Sequence, residues 1–201
     1  MKNKFLIGAA SSIFSLSSAA ALAHNTFTSQ YAPAGYVKDL EMRVTHGCKG
    51  SAVKEVRIKM PEGVLRVSVM NNREWQTETR MRKLAKPMPG EGGNIVTETV
   101  DEIIWKNPKT PLPGSGMYEG FHFRGALPNT PGTILYFKTV NVCEQGDDKY
   151  IDMPSEKLEA RTPGLPDKLL KFMMATPGPS PFLILEKPVR PQYPWADIPK
   201  K

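Results

Sequence analysis

Val53-Lys54-Glu55-Val56-Arg57-Ile58-Lys59-Met60 is the stretch from which the fold is read. In its second half Val56, Ile58 and Met60 alternate with Arg57 and Lys59. A period of two sets apolar side chains on one face of an extended chain and charges on the other. Pro61-Glu62-Gly63 then turns the chain. The same grammar continues downstream. Val64–Met70 alternates less cleanly and ends at Asn71-Asn72. Trp75–Met81 is a polar strand, Gly90–Gly93 a flexible loop, and Ile95–Trp105 a β-branched strand. Pro108–Gly116 is a long proline-glycine connection. Met117–Arg124 and Thr133–Val142 are two more strands, the second holding the aromatic pair Tyr136-Phe137. Phe182-Leu183-Ile184-Leu185 reads as the last strand. Short strands separated by turns, with no convincing helical period, predict an all-β sandwich. Glu156–Ala160 and Asp167–Met174 read as short helical turns at most. Residues 24–40 form a lead-in punctuated by Pro33 and Gly35.

Outward from these strands, the two ends differ from the middle. Met1–Ala23 has a basic start (Lys2, Lys4), an apolar middle and the small-residue exit Ala21-Leu22-Ala23. That is the pattern of a secretory signal, too short and serine-interrupted for a good membrane span; an uncleaved anchor is the alternative. Cleavage after Ala23 would leave a chain beginning at His24, with no later stretch apolar enough to span. Residues 24–186 are then one domain, and residues 187–201, with Pro188, Pro191, Pro194 and Pro199, a proline-rich tail unable to enter a central strand. The expected location is the periplasm or cell envelope. The net charge of +7 over 201 residues is scattered among acids, as in Lys54-Glu55-Val56-Arg57. No basic block is interleaved with aromatics, which argues against a nucleic-acid partner.

Cys48 and Cys143 are the only cysteines. In an exported chain they read first as one disulfide, and a thiolate copper site is the sharper alternative. His24, placed at a new N-terminus, is a chelator in its own right. Its α-amine and ring Nδ1 close a ring around a metal, and with pKa values of about 8 and about 6.5 both can be neutral and ligating near pH 7. Flat nitrogen pairs suit Cu(II) among the common divalent ions. His46, in Val44-Thr45-His46-Gly47-Cys48, ends a strand two residues from the expected disulfide and is a candidate second ligand or a turn cap. In Met117–Phe123, strand alternation sets Glu119 with Phe121 and Phe123, and His122 with Tyr118 on the other side. Glu119 on an apolar face needs a partner, a metal or a sheet edge. Glu119 and His122 share a metal only if Gly120 forms a bulge; His122 is otherwise a solvent-facing residue. Met60, Met70 and Met81 read as core, Met173-Met174 as packing, and Trp75, Trp105 and Trp195 as core or strand-edge aromatics. No Gly-x-Ser-x-Gly, His-Glu-x-x-His or phosphate-cradling loop occurs, so no enzyme is expected.

An ordered set of motifs resembles the YcnI-like exported copper-binding proteins. Arg43-Val44-Thr45-His46-Gly47-Cys48-Lys49-Gly50 is similar to the family's R-V-P-H-G-C-x-G run, and Met60-Pro61-Glu62-Gly63-Val64 to its I-P-E-G-V. Ile104-Trp105, Leu112-Pro113, Tyr118-Glu119-Gly120-Phe121 and Gly132–Cys143 follow in order, and Trp75 resembles its Gly-Trp with Glu74 in place of the glycine. The resemblance implies a cupredoxin- or immunoglobulin-like sandwich, Cu(II) held by His24 through amine and Nδ1, and a second protein ligand that is a carboxylate in one branch. It implies a place in copper homeostasis as carrier or buffer, with other copper-handling envelope proteins as partners. By residue, His24 matches the chelating position, His46 lies near the second ligand, Glu119 matches a family acid of unassigned role, and Cys48 and Cys143 match the cysteine pair. Thr45, Lys138 and Asn141 depart from the pattern, and Tyr150 stands where the family carries a tryptophan near the copper. Two alternatives stay open: a metal-free envelope interaction module, and a copper oxygenase in which His46 completes a two-histidine site.

Overall fold

The structure, a computed structural model, describes residues 24–89 and 94–188. The expected signal segment, the Gly90–Gly93 loop, Trp195 and nearly all of the proline-rich tail lie outside the described residues. Val53–Lys59 forms strand β4 of a five-stranded antiparallel sheet. Its neighbours are β7 (Ile95–Lys106) on one side and β10 (Thr139–Cys143) on the other. β6 (Gln76–Pro89) and β11 (Asp147–Tyr150) complete it at the edges. A second sheet carries, in order, β1 (Thr26–Phe27), β3 (Val37–Val44), β8 (Glu119–Ala126) and β5 (Leu65–Val69). The inward residues of the two sheets meet in one core, where Leu40, Met42 and Val44 join Val56, Ile58, Ile103, Phe121 and Phe123. Trp105 is fully buried and lies edge-on to Phe121 at 5.2 Å. A fully buried side chain of this kind contributes about 1.5–3 kcal/mol relative to an exposed one.

A third sheet of three strands, β2 (Tyr31–Pro33), β12 (Phe182–Glu186) and β9 (Ile134–Tyr136), closes one end. Its central strand explains the unbroken apolar run of Phe182–Leu185. Leu183 and Leu185 enter the main core, whereas Phe182 and Ile184 face a second, smaller cluster with Ile134, Leu158, Leu165 and Leu169. A strand buried on both faces has no polar side to alternate with.

Several expectations need correction. Leu165–Ala175 is an 11-residue helix, α1, not a stray turn. Leu165, Leu169 and the partly buried Met173 recur every four residues and cover the small cluster. Glu156–Ala160 forms no helix; Glu159 makes an isolated bridge with Thr133. Thr133–Val142 is two strands in different sheets, broken at Phe137-Lys138, and the lead-in holds β1, β2 and the start of β3. Met60 is core, but Met70 and Met81 are exposed. The first lies just past the end of β5, and the second sits on the edge strand β6, with one neighbour only. Of the methionine pair in α1, Met173 packs and Met174 points outward.

Candidate metal centre

The chain leaves β3 at Val44 and turns through Thr45-His46-Gly47 into a short 3-10 turn at Cys48–Gly50. A disulfide ties Cys48 to Cys143 at the end of β10, with the Cα atoms 5.9 Å apart. Gly47 is required by close approach, because a Cβ there would lie 1.7 Å from the Ser51 carbonyl oxygen. His46 is therefore fixed between a sheet and a tethered turn. Its Nδ1 lies 2.8 Å from the Gly47 carbonyl oxygen. A carbonyl only accepts, so in the neutral ring Nδ1 carries the proton and Nε2 carries the lone pair. Metal-binding histidines are commonly oriented by such a bond from the other ring nitrogen. The Tyr150 hydroxyl sits 3.5 Å from His46 Nε2.

His24 reaches the same corner by a different route. Strand alternation in β10 turns Thr139, Asn141 and Cys143 inward, with Val140 and Val142 half-buried between them. A buried carboxamide needs a partner. Asn141 finds one in Asn25: Asn25 Nδ2 donates to Asn141 Oδ1 at 2.8 Å, and Asn141 Nδ2 donates back to Asn25 Oδ1 at 3.1 Å. Each bond contributes about 0.5–1.5 kcal/mol net, and loss of one partner costs about 1–3 kcal/mol. This pair pins residue 25 to the middle of the sandwich and so sets His24 beside β11. The His24 ring lies edge-on to Tyr150, with centroids 6.0 Å apart. Burial is the main cause that holds the His24 pKa below its ordinary value; a hydrogen bond to the Met173 carbonyl opposes this, and the nearby His46 adds to it. His24 Nε2 is buried without a hydrogen-bond partner. A cavity of 10 Å³ beside His24, lined in part by Asn25, Met173 and Phe182, is of the size of one water or one ion.

Glu119 stands opposite Val44 in the β3–β8 register, two residues before His46. It accepts a hydrogen bond from Trp75 Nε1 at 2.7 Å, half-buried at the start of β8. Burial pushes its carboxyl pKa up, the indole bond opposes this, and Glu74 adds a little. The partner this acid required is thus an indole. β3 and β8 pair without a register shift from Val37 to Val44, so Gly120 forms no bulge and His122 stays exposed on the outer face. Gly120 instead leaves room for two side chains, since a Cβ there would lie 2.7 Å from Glu41 Oε1 and 3.1 Å from His122 Nε2. Among the described residues no group of three or more His, Cys, Asp or Glu side chains forms a metal cluster. The structure therefore brings His24 and His46 together, adds Tyr150, and engages Glu119 with Trp75. Sequence reading passed over Asn25. The available signal was Asn141, a polar residue at an inward position of a strand.

This geometry defines an immunoglobulin-like β-sandwich with two histidines and a tyrosine at one corner. Residues 24–169 match the model of a family described as a domain of unknown function, DUF1775, and the chain belongs to that family. Among solved structures, it is similar to an uncharacterized protein from Nocardia farcinica with an immunoglobulin-like fold. The identity is 15%, the TM-score 0.55, and the match covers 82% of this chain and 99% of that one. A putative membrane anchored protein from Corynebacterium diphtheriae matches at 11% identity and TM-score 0.35, over 85% of this chain and 38% of that one; at that score it carries no argument. No curated protein matches. No helix among the described residues is long and apolar enough to cross a membrane.

Proposed function

We propose that this is an exported copper-binding protein, a carrier or buffer in copper homeostasis, and that it holds Cu(II) at the corner formed by His24 and His46. The observation that carries this reading is the convergence of two histidines from distant parts of the chain. One, His24, has Nε2 buried without a partner, while its Nδ1 is the nitrogen that closes a ring with the α-amine of the cleaved chain. The other is oriented by its Nδ1 bond to Gly47, so that Nε2 presents the lone pair. Two neutral imidazoles and an α-amine are a nitrogen set that suits Cu(II). The YcnI-like resemblance of the residues around His46, and the signal-like segment before His24, support the same reading. Export and cleavage after Ala23 are part of the proposal, because the amine exists only in the cleaved chain.

His24 supplies the anchor, His46 a second nitrogen, and the disulfide keeps the His46 turn against β10. Glu119 is not assigned to the metal, since its carboxylate is engaged by Trp75. The test is a Cu(II) titration of protein beginning at His24 against protein with one residue left before it. Tight binding of one equivalent in the first and its loss in the second is expected. Equal affinity in the two would contradict the proposal.

A further inference from the structure

Tyr150 lies against both histidines. It closes β11, where it pairs with Thr139 of β10, and its backbone carbonyl accepts a hydrogen bond from the buried Ser180 hydroxyl at 3.2 Å. Its side chain is held as firmly: the residue is 4% exposed, with the ring against His24 and the hydroxyl toward His46. The separation of 3.5 Å between the hydroxyl oxygen and His46 Nε2 is long for an O–H···N hydrogen bond. It is about half an ångström wider than the spacing of two donors on one tetragonal ion, since bonds of about 2.0–2.2 Å at a right angle put neighbouring donors roughly 3 Å apart, a gap that a small turn of the hydroxyl closes.

Resting on the copper reading above, we infer that the Tyr150 hydroxyl is the oxygen donor of the site, beside the nitrogens of His24 and His46. Without metal the hydroxyl faces the lone pair of His46 at 3.5 Å; a bound ion would take that lone pair, and the hydroxyl oxygen would face the ion. A phenol oxygen there would be a weak ligand beside the nitrogens. It tunes the site and leaves the main bonding to the histidines.

The experiment compares Tyr150→Phe with the unaltered protein, both beginning at His24, by Cu(II) titration and electron paramagnetic resonance. Near-ultraviolet circular dichroism of each checks that the corner is intact. The unaltered protein is expected to bind copper tightly. Tyr150→Phe is expected to keep the nitrogen couplings, to shift the copper g-values and to lose about three- to tenfold in affinity, the upper figure being 1.4 kcal/mol. Unchanged g-values and affinity in Tyr150→Phe would overturn the inference, leaving Tyr150 as packing. Tighter binding in Tyr150→Phe would also overturn it and make the hydroxyl an occluder. Absence of copper binding by the unaltered protein would instead remove the functional reading on which the inference rests.

Discussion

Two corners of the sandwich handle buried polar groups in opposite ways. At one, the half-buried carboxylate of Glu119 is answered within the chain by the Trp75 indole, and Trp75 itself packs edge-on to Phe121 at 5.2 Å. At the other, His24 keeps a buried ring nitrogen without a partner, and Tyr150 stands at a long 3.5 Å from His46. A fold satisfies buried polar groups where only stability is at stake. Glu119 has its partner within the chain, and the under-satisfied histidine corner is where the proposed site falls.

The comparison breaks most severely at the tether. Replacing Cys48 and Cys143 together by serine releases a loop closed over a sequence separation of 95 residues. It is expected to cost about 2–5 kcal/mol of stability by denaturant unfolding. It also unfastens the His46 turn from β10, so copper affinity is expected to fall while the Trp75–Glu119 contact survives. Next in size is the anchor of the histidine corner. Asn141→Leu strands the Asn25 carboxamide and is expected to cost about 1–3 kcal/mol. Copper binding should weaken with it, because His24 loses its register. Trp75→Phe strands Glu119 at the other corner. It is expected to destabilise by up to about as much, less where solvent reaches the half-exposed carboxylate, and to leave copper binding unchanged. A loss of copper affinity in Trp75→Phe would join the two corners and undo the separation.

The smallest effects are electrostatic. The Glu119 pKa is raised in the folded chain, so the protonated form is the one the fold prefers. Its stabilising contribution is complete below the unfolded value of 4.5 and is lost as pH rises through the folded pKa. Glu119→Gln is therefore expected to match the native protein in acid and to gain on it as pH rises to neutrality, followed by urea unfolding at stepped pH. For His24 the sign is reversed. Its folded pKa is lowered from 6.5, so stability is present above that value and is lost as pH falls through the folded pKa. His24→Gln is expected to flatten that acid limb and no other part of the profile.

Much of the sandwich was legible because its strands obey one period. Val56, Ile58 and Met60 alternate cleanly, and all three are buried in the core. α1 was illegible for an equally physical reason. Its stripe of Leu165, Leu169 and Met173 is only one residue wide and covers a satellite cluster, and Pro166 near its start reads as a breaker, although proline is tolerated in a first turn. The break between Tyr136 and Thr139 escaped because the apolar run continues through it while the backbone changes sheets. In the site, His24 and His46 were legible as residue types, and the disulfide as a pair of cysteines. Their convergence was not, because it depends on Asn25 meeting Asn141 across a sequence separation of 116 residues. Glu119 was rightly marked as needing a partner, but no local pattern joins it to Trp75, a separation of 44 residues.

The central claim is that two distant histidines hold one copper ion at this corner. The most direct measurement is pulsed electron paramagnetic resonance on Cu(II)-loaded protein beginning at His24, compared with His46→Ala. The account predicts couplings from two imidazoles in the first and from one in the second. Identical couplings in the two proteins would contradict it, because His46 would then stand outside the site.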